Sequence, residues 1–336
     1  MQESRTLRRW QLSSFGREHL ELVERPLPLP GPGEVLVRVG AVSLNYRDLL
    51  MIRDGMGMAL DMPFTPGSDM AGTVEAVGQG VQRFAIGDRV ASTFWGGWID
   101  GQWPPGAVPA GGPGPGMLAS HVLLDAASAV AAPATLDFAE ASTLPCAGLT
   151  AWFALAETGA LRPGQPVLIH GTGGVALFGV QIARLHGART IVISGSQDKH
   201  APTLALGASH VLTRDSDWPA EVRRLTGGRG VDHVLELASG PNLDRSLQAV
   251  AQGGRVSIIG MLGGETLSAS FYAMVLGRVT MQGIGVGHRR ALEELVRAVD
   301  ANALKPVIAA RYAFDDLPDA LDHLARGAFG KIVVVP

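Results

Sequence analysis

The stretch VLIHGTGGVALFGVQIARLHGA, residues 167–188, decides the fold of this chain. It begins as an apolar run typical of a buried strand, breaks at a glycine-rich turn over 170–174, and resumes with apolar residues at helical spacing. Gly171 and Gly173 let the backbone turn tightly and approach a ligand, and the small Ala176 lets the helix pack against the strand. The free N–H groups and positive dipole of the helix N-terminus suit a pyrophosphate. The stretch therefore predicts a dinucleotide site, against the alternative of a turn that serves packing alone.

Strands and helices alternate beyond this turn. Apolar runs at 190–194, 210–213, 231–237 and 255–259 predict further strands, and an amphipathic helix is expected over 199–206. Such alternation is typical of a parallel sheet with helices on both faces, which binds ligands at the carboxyl ends of its strands. We therefore predict a doubly wound α/β sheet that carries the dinucleotide site.

The part of the chain before this sheet has a different pattern. Over residues 10–126, short runs of alternating apolar and polar residues are separated by frequent glycine and proline turns, which predicts an irregular β-barrel. A last strand, 331–335, lies beyond the sheet, and its flanks match the barrel better. We therefore predict a discontinuous barrel domain, residues 1–147 and 285–336, with a nucleotide-binding domain inserted between its two parts over residues 148–284.

Residues 94–116 are rich in glycine, proline and tryptophan and show no periodicity. Low complexity alone would make this segment disordered, whereas a long surface loop or lid is the alternative. Trp95, Trp98 and Trp103 favour a packed loop near the mouth of the substrate site.

Composition excludes several classes of protein. The chain has 336 residues, a formal net charge of −3 and 28 scattered basic residues, so no nucleic-acid-binding surface is indicated. Cys146 is the single cysteine, which excludes a disulfide framework and a four-cysteine zinc lobe. No apolar run reaches the roughly 20 residues that span a membrane, and the N-terminus lacks the features of a signal peptide. We expect a cytoplasmic enzyme that acts on a small molecule.

Several segments together resemble the medium-chain dehydrogenase/reductase superfamily. They include PGEVLVRVGAVSLNYRDLL (32–50), PGSDMAGTVEAVG (66–78), the glycine turn already described and the ending GKIVVVP (330–336). Within the superfamily, the chain is similar to the zinc-independent quinone oxidoreductase-like and zinc-type alcohol dehydrogenase-like branch. The resemblance implies a Rossmann sheet inserted into a GroES-like barrel, a nicotinamide cofactor and a small-molecule substrate.

The zinc enzymes of this superfamily take metal ligands from segments that have changed here. At the matching positions this chain has Asn45, Ser68 and Ala147, which leaves Asp69 as the one good donor of that set. Cys146 lies one residue from the last ligand position and is interpreted as a small buried apolar residue. We therefore expect no catalytic zinc.

Without a metal, the simplest reaction of this fold is hydride transfer to a conjugated acceptor, whose developing charge hydrogen-bond donors can stabilise. By analogy with the family, Asn45 lines the pocket beside the nicotinamide and Tyr46 donates a hydrogen bond or proton to the substrate oxygen. The alternatives for Tyr46 are a packing and phosphate-contact role, with water as the proton source. Arg47 is a candidate to meet a phosphate or an acidic substrate, and Asp48 to pair with a nearby base.

The end of the second strand of the sheet indicates which cofactor binds. An acidic residue there holds the ribose of NAD, whereas this chain has Ser194, Ser196 and Lys199, which suit a 2′-phosphate. We therefore expect NADP(H), with NAD(H) as the less favoured alternative if Asp198 turns inward.

The resemblance implies further cofactor contacts from the glycine turn, from the ends of later strands and from a basic residue near the C-terminus. As a surface lysine, Lys331 would instead have no such role. The predicted contacts, besides the three residues named above, are Thr150, Gly171, Thr172, Gly173, Gly174, Val175, Leu237, Gly260, Met261, Ile284 and Lys331.

We accordingly expect a zinc-independent, NADPH-dependent oxidoreductase that passes hydride to a quinone or an α,β-unsaturated carbonyl. An NAD(P)-dependent alcohol dehydrogenase or ketone reductase is the alternative within the enzymes, and a non-catalytic NADPH-binding sensor or structural protein is the alternative outside them. Subunits of the family commonly pair through the edges of their cofactor sheets, and residues 276–284 are the candidate edge of a homodimer.

Overall fold

A computed structural model describes residues 5–336 of the chain. The strands are numbered here in chain order and are β1 (Thr6–Leu12), β2 (Leu20–Pro26), β3 (Glu34–Leu44), β4 (Asp69–Val77), β5 (Arg89–Ser92), β6 (Trp95–Gly96), β7 (Val108–Pro109), β8 (His121–Asp125), β9 (Ala129–Ala131), β10 (Pro166–His170), β11 (Arg189–Ser194), β12 (His210–Thr213), β13 (Val231–Glu236), β14 (Val250–Ile258), β15 (Thr280–Gly283), β16 (Ile308–Ala313) and β17 (Lys331–Val335).

The α-helices are α1 (Tyr46–Asp54), α2 (Phe138–Ala141), α3 (Leu149–Trp152), α4 (Gly174–Leu185), α5 (His200–Leu206), α6 (Trp218–Leu225), α7 (Asn242–Ala249), α8 (Phe271–Gly277), α9 (Arg289–Asn302) and α10 (Leu317–Arg326). Two π-helical turns, Leu144–Gly148 and Phe153–Glu157, flank α3. Pro145 lies in the first of them, where its missing N–H interrupts the helical ladder. None of the helices in the described part of the chain is long and apolar enough to cross a membrane.

The chain divides into two compact units. The first unit takes the chain up to Leu149 together with Gly287–Pro336, and the second takes Thr150–Val286. These divisions lie within two residues of the sequence-based boundaries at 147 and 284.

The first unit is built on a largely antiparallel sheet with the path β16-β17-β3-β4-β5-β9, to which β8 adds by pairing with β3. Alternate residues of β3, such as Val35, Val37 and Val39, are buried in the core of this unit, as the period-two pattern predicts. The last strand, β17, pairs antiparallel with β3, which confirms that the chain returns to the barrel after the cofactor sheet.

The second unit contains a six-stranded sheet with the order β12-β11-β10-β13-β14-β15, and every pair in it is parallel. This order is that of a doubly wound dinucleotide-binding fold, which confirms the predicted fold class. Helix α4 packs closely on the central strands, because a Cβ added to Gly179 would lie 2.7 Å from the Leu235 side chain and 3.2 Å from that of Ile169.

The segment over residues 94–116 is packed against itself, so the disordered alternative is wrong. Strands β6 and β7 pair within it, and the rings of Trp95 and Trp103 lie with their centroids 3.9 Å apart. The Arg47 side chain donates to the carbonyls of Ala110 and Gly111 at 3.0 and 3.1 Å and fixes the segment to the start of α1. Its place near a substrate mouth stays a prediction.

Candidate active site

A buried polar cluster forms in the first unit where three strands meet. Antiparallel pairing of Leu44 with Ile332 brings Lys331 beside Asn45, and pairing of β3 with β4 brings Asp69 to the same point. The cluster consists of Asn45, Ser68, Asp69, Cys146 and Lys331.

The Asn45 amide is bonded to protein groups through both of its polar atoms. Its Nδ2 donates to Asp69 Oδ2 at 2.9 Å and to Ser68 Oγ at 3.2 Å, and its Oδ1 accepts from Lys331 Nζ at 2.6 Å. An ammonium group only donates, so this contact fixes which end of the amide faces Lys331. Asn45 is 8% exposed and both of its polar side-chain atoms are bonded within the cluster, which suits a structural role, while its predicted place beside the nicotinamide stays a prediction.

Lys331 is 4% exposed, so its interpretation as a surface lysine is wrong. Its ammonium group donates to the Leu44 carbonyl at 2.5 Å as well as to Asn45. Contact with a cofactor pyrophosphate stays a prediction for this residue.

Burial dominates the electrostatics of the cluster. It raises the pKa of the Asp69 carboxyl to about 6, against the opposing attraction of Lys331. Burial likewise raises the pKa of Asp48, whose carboxylate accepts from the Asn45 backbone N–H at 2.8 Å rather than from a basic side chain. Burial and the nearby Asp69 also raise the pKa of the Cys146 thiol, which keeps the sulfur protonated.

These residues do not fit a catalytic zinc ion. An amide, a hydroxyl and a protonated thiol are poor zinc donors, and Asp69 Oδ2 already accepts from Asn45 and from the Cys146 backbone at 3.1 Å. A buried ammonium group beside Asn45 also repels a divalent cation. Across residues 5–336, no group of three histidine, cysteine, aspartate or glutamate side chains is arranged to hold a metal.

Tyr46 and Arg47 occupy the first turn of α1. The Tyr46 side chain is 46% exposed, and its hydroxyl makes no hydrogen bond to any described group, so it is available to a ligand. Arg47 is committed to the carbonyls over 110–112 and lies over the Phe94 ring, so the expectation that it meets a phosphate or an acidic substrate is not met.

The glycine turn of the second unit is open to a ligand. Gly171 has φ of +83°, which favours glycine, and Gly173 caps the N-terminus of α4. A Cβ added to Gly171 or Gly173 would meet no described atom within 4 Å. A ligand can therefore approach the backbone closely at this turn, and the N-terminus of α4 that follows it has the unpaired N–H groups that bind an anion.

Most of the predicted cofactor residues lie at the same edge of this sheet. Parallel strands end at one edge, and β10, β11, β13, β14 and β15 end directly before or within the predicted contacts. The residues at this edge are Gly171, Thr172, Gly173, Gly174, Val175, Ser194, Ser196, Lys199, Leu237, Gly260, Met261 and Ile284. Thr150 is buried in α3, and Lys331 belongs to the first unit.

Arg214 is a candidate cofactor residue that the sequence reasoning missed. Its guanidinium lies against Gly195, since a Cβ there would come within 2.0 Å of Arg214 Nη2. Pairing of Ser194 with Thr213 places Arg214, the next residue, beside the turn that holds Ser196 and Lys199. The sequence feature that could have indicated Arg214 is a basic residue directly after β12, the strand that pairs with β11.

Glu236 is a second missed residue, fully buried at the carboxyl end of β13. Its carboxylate accepts from the backbone N–H groups of Ala238 and Ser239, both at 2.9 Å, and from the Ser246 hydroxyl at 2.6 Å. His170, which precedes the glycine turn, lies 2.9 Å from the same hydroxyl through its Nε2. The signal was a carboxylate that ends an otherwise apolar buried strand.

Two family models match the chain. The alcohol dehydrogenase GroES-like domain matches residues 31–134, and the zinc-binding dehydrogenase domain matches residues 174–301. A zinc-type alcohol dehydrogenase-like protein of Schizosaccharomyces pombe is 34% identical, and the match covers 96% of each chain. The chain therefore belongs to the medium-chain dehydrogenase/reductase superfamily, as the sequence motifs predict.

The chain is also similar to a quinone oxidoreductase and to a protein of solved structure. The quinone oxidoreductase of Homo sapiens is 26% identical, and the match covers 92% of this chain and 91% of the human protein. A solved structure from Sinorhizobium meliloti, provisionally named an alcohol dehydrogenase, is 52% identical with a TM-score of 0.96 and covers 99% of this chain and 100% of its own. The comparisons confirm the prediction of an oxidoreductase that uses a nicotinamide cofactor and acts on small molecules.

Proposed function

We propose that this chain is a zinc-independent, NADPH-dependent oxidoreductase that transfers hydride to a quinone or an α,β-unsaturated carbonyl. The observation that carries the proposal is the Lys331 ammonium group, bonded to Asn45 where the zinc enzymes of the superfamily keep a metal ligand. The names of the matching family model and of the yeast relative refer to zinc, but the donor set of this chain does not suit it. Similarity to a quinone oxidoreductase supports the choice of acceptor.

A conjugated acceptor suits a site without a Lewis acid. When bound, NADPH supplies the hydride, and conjugation spreads the resulting negative charge over several atoms of the acceptor. Tyr46 would donate a hydrogen bond or proton to the acceptor oxygen, and its exposed hydroxyl, which is not engaged elsewhere in the described chain, supports this role. Asn45 holds the start of α1, since its backbone N–H donates to Asp48 and its carbonyl accepts from the Asp48 N–H at 2.9 Å.

The preference for NADPH rests on the basic and hydroxyl groups beyond β11. Ser196 and Lys199 lie in the turn after β11 and Arg214 lies against Gly195 in the same turn, and such hydroxyl and basic groups suit the 2′-phosphate of a Rossmann-bound dinucleotide. Asp198, whose inward turn would favour NAD, is exposed and accepts from the Ser196 hydroxyl.

A steady-state assay with a quinone, an enone and a simple secondary alcohol tests the proposal. We expect NADPH-dependent turnover of the quinone or enone that a chelator does not change, and a Tyr46→Phe variant with kcat lower by about 100-fold, as for loss of a general acid. NADPH affinity of that variant should match the wild type. Stoichiometric zinc whose removal abolishes turnover would refute the zinc-free mechanism.

The second candidate function is that of an alcohol dehydrogenase or ketone reductase, which the naming of the Sinorhizobium meliloti and yeast relatives favours. The same assay separates the two functions. Turnover of the secondary alcohol alone would select the second candidate.

We further propose that the chain forms a homodimer through the edge of the second unit. Strand β15 ends the sheet, and the neighbouring helix α8 exposes Phe271, Tyr272 and Leu276 at 70, 72 and 70%. The edge strand occupies Thr280–Gly283, which is shorter than the 276–284 segment proposed from sequence because α8 extends through Gly277. Exposed apolar surface beside an unpaired edge is typical of an interface.

Light scattering after gel filtration tests this interface. The wild type should elute as a dimer, and the double variant Tyr272→Glu, Leu276→Glu as a monomer, because two buried charges would destabilise the contact. Leu29→Glu, at an exposed leucine of the first unit, is the matched control and should remain dimeric. A monomeric wild type would contradict the proposal.

A further inference from the structure

The backbone around residue 330 holds the Lys331 side chain in the interior of the first unit. Gly330, the preceding residue, has φ of +94°, and a Cβ there would lie 2.3 Å from the Val307 carbonyl oxygen. The Lys331 N–H donates to that same carbonyl at 2.9 Å. These contacts fix the first residue of β17, which is Lys331. The antiparallel pairing of β17 with β3 then directs the Lys331 side chain at the end of β3.

The ammonium group is bonded at the point where β3 passes into α1. It donates to the Leu44 carbonyl at 2.5 Å and to Asn45 Oδ1 at 2.6 Å, so both contacts lie within two residues of Tyr46. A buried cation is costly unless it is paired, and the carboxylates of Asp48 and Asp69 are the buried anions of this region. Their presence explains how a lysine is tolerated inside the barrel.

We propose that Lys331 is a positioning residue, which holds Asn45 and thereby the N-terminal turn of α1 so that Tyr46 meets the substrate in one orientation. The proposal rests on the proposed function, since Tyr46 is the donor in that reaction. It differs from the role that the family resemblance implies, in which Lys331 contacts the pyrophosphate of the cofactor.

The geometry of Asn45 supports this assignment. Its Oδ1 faces the ammonium, so its Nδ2 is directed at Asp69 and Ser68. The Asn45 backbone is tied to Asp48 through two hydrogen bonds, which close the first turn of the helix. Removal of the cation takes the donor from the Asn45 oxygen, weakens the restraint on the amide and leaves the carboxylates without their neighbouring ammonium group.

The test separates positioning from cofactor contact through kinetics and binding measured on the same variants. Lys331→Met removes the charge, and Lys305→Met, at an exposed lysine of the same unit, is the matched control. At saturating NADPH we expect kcat of Lys331→Met to fall about 100-fold, the loss that a misplaced catalytic group produces. The Kd of NADPH, measured by fluorescence titration, should change by less than about threefold.

The double variant Lys331→Met, Tyr46→Phe shows whether the two residues act together on kcat. If Lys331 acts through Tyr46, the double variant should be no slower than Tyr46→Phe alone, because the two losses share one cause. Additive losses, or a Kd of NADPH raised about tenfold with kcat at saturation unchanged, would overturn the assignment in favour of an independent or pyrophosphate role.

A measurement that needs no turnover tests the positioning role of Lys331 separately from the proposed oxidoreductase function. Exchange of the Asn45 side-chain amide protons, followed by NMR, should be slow in the wild type and in Lys305→Met and fast in Lys331→Met. If the wild type reduces neither acceptor, the proposed function fails, while faster exchange in Lys331→Met still supports the restraint on Asn45. Unchanged exchange in Lys331→Met overturns the positioning role whatever the substrate.

Discussion

Replacement of Arg214 by glutamate should weaken NADPH binding by about 100-fold while NADH binding changes by less than about threefold. The guanidinium lies against Gly195, beside the turn that carries Ser196 and Lys199. A charge-assisted hydrogen bond to a phosphate contributes about 1.5–3 kcal/mol, and a carboxylate in its place adds repulsion. NADH has no 2′-phosphate, so it loses none of this attraction.

Fluorescence titration with each dinucleotide at one fixed ionic strength gives the two affinities, since salt screens exposed charges. Arg224→Glu is the matched control, because Arg224 is an exposed arginine of the same unit paired with Glu221 on its own helix. Equal losses for NADPH and NADH would indicate a distorted fold. Unchanged NADPH affinity would exclude Arg214 from the 2′-phosphate site.

Local patterns predicted the fold because the hydrophobic period is a property of each segment. The strand over 210–213 was predicted with the bounds that the structure shows, and the helix after the glycine turn begins at Gly174, where the predicted strand, turn and helix place it. The sequence also predicted that β17 returns to the barrel, because a strand that follows the last unit of the cofactor sheet needs a partner elsewhere.

The positions of Lys331 beside Asn45 and of Arg214 beside Gly195 could not be predicted from the sequence, because they depend on strand register. Lys331 faces Asn45 only because Ile332 pairs with Leu44, far apart in the chain. Arg214 lies beside Gly195 because β11 and β12 end level with each other. A shift of one residue in either pairing would turn the side chain to the opposite face of its sheet.

Replacement of Glu236 by alanine should lower the free energy of unfolding by about 3–5 kcal/mol, because several hydrogen-bond donors would lose their acceptor together. The carboxylate accepts from Ala238, Ser239 and Ser246, and from the Asn242 side chain at 3.0 Å. The donors on Ser239 and Ser246 would be left buried without this acceptor, and those on Ala238 and Asn242 half-buried. Because Leu237 and the glycine turn flank this network, NADPH affinity should fall as well.

Urea and thermal unfolding at pH 7 measure the loss. Glu236→Gln keeps an acceptor oxygen and the shape of the side chain, so it should recover a large part of the stability, whereas Glu265→Ala, at an exposed glutamate of the same unit, should match the wild type. Equal stability of the alanine and wild-type chains would show that the network does not hold the turn after β13.

The same network should make the second unit sensitive to acid through His170. Burial lowers the pKa of His170 below that of an exposed histidine, against the opposing attraction of Glu236. The unfolded chain therefore binds a proton first as the pH falls past about 6.5, and the stability that His170 contributes when neutral is lost below that point. Without Glu236 the pKa of His170 should fall further, so the alanine variant should lose more stability between pH 7 and 5 than the wild type does.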